Sequence, residues 1–405
     1  MGALLIAMAV PMFVVLIGIE SWIGRGRGIY RFSDAVIDLS CGLASRMFHL
    51  FDFVVVVGVY TWVYQHAAYI EIEGTPWWLW IVAFVAVDLL YYCWHRASHG
   101  VNVLWAVHAV HHQSEDYNLA VALRQALFSS LTGLPFYLPL AVLGVPPLVF
   151  GTCNALNTLY QFWIHTELIR TLPAPVEMVM NTPSHHRVHH GINPQYLDRN
   201  HAGVFIVWDR LLGTFEPESE EVVYGLVSPL RSFNPIWANL IHLVGIYELI
   251  QASESTRERL AAIFAGPAWR PTSLGGPKMA PPVTRQSQKK YDPEYSPARG
   301  AYIAATFSTL FPWSVWLMAV GQNLPLNTRL VAAIWVVWTL AQCGALFERK
   351  RWAHAGEYAR LLCTCLLSLV FISTTAGLGH HLGWVMLSTS GLSALWLRRI
   401  ALNQQ

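Results

Sequence analysis

Nine stretches of roughly twenty residues run through this chain with almost no charged side chain. They are 3–19, 47–65, 77–94, 126–144, 146–164, 301–321, 330–347, 361–379 and 382–397. A helix needs about 20 apolar residues to cross a hydrocarbon core of about 30 Å, and lipid tolerates only helices and closed barrels. The expected fold is therefore all-α, a polytopic membrane bundle of about nine transmembrane or re-entrant helices. Composition agrees: 54% of the residues are hydrophobic and 12% are charged, against about 25% charged in soluble domains. A net charge of +2 with no basic or acidic tail offers no field to nucleic acid, so none is expected as a partner. The six cysteines stand in apolar segments without a CxxC pair and read as buried small hydrophobes.

The first stretch lacks a basic n-region and a small-residue cleavage site, and is read as a retained helix. The fourth and fifth are separated only by the turn at Gly144–Pro147 and are candidates for a re-entrant hairpin. If every stretch spans, the loop arginines and lysines fall on one side: Arg25 to Arg46, Arg96 and Arg124, Arg170 to Arg231, Arg349 to Arg351, and Arg398 with Arg399. The positive-inside rule assigns that side to the cytoplasm. Two long polar stretches share it, 165–232 and 252–300; the second, rich in Pro, Ser, Lys and Arg, reads as an irregular linker. The apolar run 233–250 suits an interfacial helix. The chain divides into a histidine-bearing membrane domain (1–250), a cytoplasmic linker (251–300) and a C-terminal four-helix region (301–405).

Lipid accounts for tryptophans at interfaces but not for 17 histidines. Eight of them fall in three patterns: His95 and His99; His108, His111 and His112; His186, His189 and His190. Spacings of i, i+3 and i+4 place side chains on one helix face, close enough to share an ion. Neutral imidazole suits zinc, iron, copper and nickel. Unpartnered burial of so many imidazoles would be costly, so a metal site at the cytoplasmic surface is expected. His165, at the end of the fifth stretch, is a candidate ninth ligand. His185 and His201 are further candidates beside the site, and Gln161 is a polar neighbour. Asp88 lies seven residues before His95, where it either accepts a hydrogen bond from a ligand imidazole or bonds a neighbouring helix.

The stretches that carry these residues are DLLYYCWHRASH (88–99), LWAVHAVHHQSEDYN (104–118), ALRQ (122–125), YQFWIHTE (160–167), NTPSHHRVHH (181–190) and WDRLLGTF (208–215). Over about 85–216 they resemble the fatty acid hydroxylase and sterol desaturase superfamily of membrane di-iron enzymes, and within it the ether-lipid-cleaving branch. Gly100 departs from that branch, standing where an acidic residue follows the first histidine pair. The resemblance implies two iron ions held by the eight clustered histidines as the catalytic set. It also implies O₂, an unidentified electron donor, a tetrahydropterin as a further cofactor, and a lipid substrate drawn from the membrane with its head group among Arg124, Arg187 and Arg199. The implied reaction is O-alkyl cleavage of alkylglycerol lipids by hydroxylation next to the ether oxygen. The alternatives are hydroxylation or desaturation of a sterol, fatty acyl or aminolipid substrate and, from another class, a membrane transporter using histidines as a transit site. Transport sites usually lie at the bilayer midplane between repeated halves, and no repeat is visible here.

Overall fold

The computed structural model describes residues 2–402, with side chains described for 8–400. It is all-helical apart from two isolated bridges, Met180 with Phe205 and Gly191 with Tyr224. The helices are α1 (Gly2–Ile23), α2 (Phe32–Ala67), α3 (Trp77–Gly100), α4 (Asn102–His112), α5 (Ser129–Val142), α6 (Pro147–Trp163), α7 (Ala174–Val179) and α8 (Pro183–His189). They continue with α9 (Val207–Leu212), α10 (Pro235–Ala252), α11 (Thr256–Phe264), α12 (Pro297–Val320), α13 (Leu326–Phe347), α14 (Ala353–Thr374) and α15 (Leu378–Leu402). Each of the nine apolar stretches lies within or largely overlaps one helix. Among the described residues, five helical segments are long and apolar enough to cross a membrane: α2, α3, α12 with its one-turn extension to Asn323, α13 and α14.

The α5–α6 pair turns at Gly144, whose φ of +84° favours glycine. A Cβ there would also lie 2.0 Å from the Ile70 carbonyl oxygen. At 1.5 Å per residue these helices are about 21 and 25 Å long, short of the roughly 30 Å core, which suits a hairpin that enters and returns.

Two helices begin two turns or more before their apolar stretches. α2 starts at Phe32, fifteen residues before 47, and its first half buries Asp34, Asp38, Ser40 and Ser45. Asp38 is neutralised by Arg124 Nη1 at 3.0 Å, so the helix carries charge without exposing it to lipid. α14 starts at Ala353 and buries Glu357 against Arg360. One hydrophobic core runs along α2 and joins α4 and α10 to α12–α15, so the C-terminal helices pack on the histidine-bearing part.

The run 233–250 is α10, its first turn capped by Asn234 Oδ1 accepting from the Ile236 and Trp237 amides. The stretch 252–300 carries the short helix α11 and is otherwise mostly irregular, but it is strapped down. Lys290 meets Asp116 at 2.6 Å, the Tyr291 amide donates to Glu115, the Gln288 side chain donates to the Tyr224 carbonyl, and Arg285 pairs with Glu167.

Candidate metal centre

Three short helical pieces and one helix end bring the histidines together. His95 and His99 occupy the last two turns of α3, on the stripe that begins with Asp88 and Tyr92. α4 follows directly and presents His108, His111 and His112 along its last two turns. His165 lies two residues beyond α6, and α8, started by Pro183 at its first position, carries His185, His186 and His189 with His190 at its C-cap.

The side chains gather into two sets. His95, His99, His108, His112 and His189 form one, and His111, His165, His186 and His190 the other; within each, the candidate ligand atoms lie within 4.8 Å of one another. The two i, i+3, i+4 patterns are used in opposite senses. In α4 the outer pair serves the first set and the middle residue the second. In α8 the outer pair, His186 and His190, serves the second and His189 the first. The rings of His112 and His190 stack at 4.4 Å where the sets meet.

Backbone carbonyls fix which ring nitrogen faces inward. The Nδ1–H of His95 donates to the His201 carbonyl at 2.7 Å, that of His189 to Arg199 at 2.9 Å, that of His111 to Arg124 at 3.0 Å and that of His165 to Gln161 at 2.7 Å. A carbonyl only accepts, so each of these rings holds its proton on Nδ1 and turns a bare Nε2 to the interior. His99 uses a carboxylate instead, Asp198 Oδ1 at 3.3 Å from Nδ1.

The inward nitrogens crowd one another. His165 Nε2 lies 3.2 Å from His111 Nε2 and 3.0 Å from His186 Nε2, and His108 Nε2 lies 2.9 Å from that of His95 and 3.1 Å from that of His112. His111 and His165 thus face each other lone pair to lone pair, an arrangement that repels unless a cation lies between. The buried Nε2 atoms of His99, His189 and His190 have no partner among the described residues. Protonation does not relieve this near neutral pH. Burial pushes His111 down to about 4 and holds His108, His112, His165, His186, His189 and His190 well below the ordinary imidazole range, with the neighbouring histidines adding to the effect. The donor set, all neutral nitrogen in a buried pocket, fits divalent transition-metal ions.

The loop 198–201 supplies the outer partner of three of the five histidines in the first set. Asp198 and Asn200 both adopt positive φ, +57° and +55°, a conformation that Asp and Asn tolerate better than most residues. Asn200 holds the loop through the His185 and Glu216 carbonyls, and Asp209 accepts from the amides of His201 and Ala202.

Asp88 is also part of this fastening. It touches no imidazole; it accepts from the amides of Val204 and Phe205, from Trp208 Nε1 and from the Asn157 side chain at 2.6–3.0 Å. The direct bond to a ligand imidazole is therefore replaced by a tie between α3 and the loop that carries the His201 carbonyl. Gln161 stands behind His165 through its backbone, while its side chain bonds Asn157. His185 turns away to Glu177 at 2.9 Å. His201 lies beside the first set, its ring 5.0 Å from that of His99, with Nε2 bonded to the Asp198 carbonyl.

Two of the three arginines expected at a head group are committed elsewhere. Arg124 is buried, bonding Asp38, the Gln113 side chain and the Val110 carbonyl, so it braces α4. Arg187 is buried too, held by Glu218 and by the carbonyls of Thr166, Ile169 and Arg170. Only Arg199 is partly exposed.

A family model described as "Fatty acid hydroxylase" matches residues 80–214, the segment that contains both sets. The chain is similar to the alkylglycerol monooxygenase of Danio rerio, 37% identical over 367 residues that cover 89% of this chain and 81% of the relative. It is likewise 37% identical to that of Homo sapiens over 364 residues, with the same coverage, and 38% identical to that of Xenopus tropicalis over 370 residues, 90% of this chain and 82% of the relative. No solved structure matches. Likeness over most of both chains, together with a helical membrane scaffold around a buried histidine cluster, establishes that the chain belongs to the fatty acid hydroxylase family of oxygen-using oxidoreductases, on its alkylglycerol monooxygenase branch.

Proposed function

We propose that the chain is an ether-lipid monooxygenase with two irons, which hydroxylates the carbon next to the ether oxygen of an alkylglycerol. The observation that carries the metal assignment is the pair of histidine sets whose inward nitrogens face one another unprotonated. His95, His99, His108, His112 and His189 would hold one ion, and His111, His165, His186 and His190 the other. Iron bound there would supply oxidation of an unactivated C–H bond by O₂, which zinc, having no redox chemistry, would not.

The protein's part is placement. The carbonyls of Arg124, Gln161, Arg199 and His201 lock the imidazole tautomers and orient the rings. Burial keeps water out and the histidines neutral. Insertion of one oxygen atom consumes O₂, two electrons and two protons and releases water. The hydroxylated ether is a hemiacetal, which collapses to an aldehyde and a free glycerol hydroxyl. The electrons come from a donor outside the chain, and the tetrahydropterin implied by the resemblance is the first to test. The loop arginines favour a cytoplasmic face for the site.

Aldehyde release from alkylglycerol under labelled O₂, with a tetrahydropterin as sole reductant and two irons per chain by metal analysis, is the expected result. Label incorporated into a sterol or acyl lipid, with none released from alkylglycerol, would transfer the assignment to a hydroxylase of those lipids. A fully active protein loaded only with zinc would remove iron from it.

A further inference from the structure

The C-terminal helices carry polar groups that the metal centre does not use. A small cleft lies among α12, α13, α14 and α15, lined by hydroxyl side chains, by Arg360 and by Trp313 and Trp335. Three of the four helices, α12, α13 and α14, are long and apolar enough to span, and polar side chains in such segments are expensive and usually have a purpose.

Thr364 on its wall is fully engaged, accepting from Trp335 Nε1 and Arg360 and donating to the Arg360 carbonyl, but four other hydroxyls are not. Thr309 donates its proton to the Thr306 carbonyl, Thr339 to Trp335, Thr389 to Val385 and Ser390 to Met386. A hydroxyl has one proton and two lone pairs, so these four cleft-lining side chains keep acceptor capacity after their protons are committed. Trp313, 1% exposed, supplies the opposite: its indole N–H has no acceptor among the described residues. Arg360 adds no net charge, because Glu357 meets it through both carboxylate oxygens at 2.5 and 2.8 Å. The cleft therefore offers acceptors and a donor at electrical neutrality, with leucine, valine and methionine between them.

We propose that this cleft binds the uncharged polyol head of a glycerol lipid whose hydrocarbon chain stays in the bilayer. A polyol both donates and accepts at neighbouring positions, as this wall requires. A phosphate would find no uncompensated cation, and a sterol's single hydroxyl would leave most of the acceptors unmet. The site lies apart from the histidines, and the proposal stands whether or not the chain cleaves ether lipids.

The test uses full-length protein in phosphatidylcholine nanodiscs without reductant, so that nothing is turned over. A 1-O-alkylglycerol carrying a diazirine near its head is photolysed and the labelled peptides are mapped. Labelling of residues 378–402 that monoacylglycerol displaces is expected. Thr339→Val combined with Ser390→Ala should lower it about tenfold, the effect of two lost hydrogen bonds, while labelling near residues 95–112 stays unchanged. Trp313→Phe is the second probe should the double variant fail to fold, and it should lower the same labelling severalfold. Labelling insensitive to these substitutions, stronger capture of a phosphatidic acid or sterol probe, or none at 378–402 would overturn the proposal.

Discussion

In the C-terminal bundle Glu357 is met by Arg360 and by the Tyr302 hydroxyl at 2.6 Å, so carboxylate and guanidinium both find partners inside the protein. In the histidine-bearing part, at least four of nine gathered imidazoles commit one nitrogen to a carbonyl and turn the other toward its neighbours. The first interior is closed to charge: Glu357 and Arg360 cancel, and only neutral groups such as the Trp313 indole N–H remain to be met. The second is complete only when something with positive charge enters. Burying polar groups beside lipid therefore has two outcomes, and the state of the last lone pair tells them apart.

The largest expected effect falls on the open interior. His108→Ala and His186→Ala, one from each set, should each abolish turnover while the protein still inserts. The loss should exceed the roughly 10–100-fold that follows removal of a partner behind a ligand. Retained activity in either variant, measured on purified protein, would take that residue out of its set.

The closed interior should respond in stability alone. Glu357→Ala leaves Arg360 buried without its partner and should cost about 3–5 kcal/mol, read as a fall in Tm in detergent. Replacing both residues by Met should recover most of that loss, and activity per folded molecule should be unchanged. A fall in specific activity that the double replacement does not restore would tie the two interiors together.

A subtler asymmetry lies within the open interior: one histidine, His99, has a carboxylate behind it. Asp198→Asn should weaken metal binding by the first set about 10–100-fold and leave the second set unchanged, as measured by competition with a chelator. Equal weakening of both sets would show that the loop acts on the centre as a whole. The smallest effect is expected at the strap, where Arg285 is 37% exposed. Arg285→Ala, which breaks its pair with Glu167, should change stability by no more than about 1 kcal/mol.

The sequence makes the apolar helices legible but not all of their lengths. Both α2 and α14 were read too short for the same reason. Asp34, Asp38 and Arg46 in one, and Glu357 and Arg360 in the other, look like ends of a hydrophobic run. In three dimensions Asp38 and Glu357 find cationic partners, Arg124 86 residues away and Arg360 one turn on, and the long-range pair leaves no local trace. The histidine patterns were legible because i, i+3 and i+4 place side chains on one face, and His165 because it ends a stretch at the same depth. The groups that hold the rings were not, since four of the five described are backbone carbonyls, to which any residue type contributes. His201 shows the difference: the candidate was its ring, and what reaches His95 is its carbonyl.

The crossed use of α4 and α8 makes the two sites interdependent. Either helix contributes to both, so rotating one of them by a single residue would remove donors from both sites at once. Neither site could then be gained, lost or retuned by itself as lineages diverge. Were each set to hold an ion, as proposed, the first to bind would also fix the two helices that complete the second site, and titration of metal-free protein should show both taken up together, with little one-ion species at the midpoint.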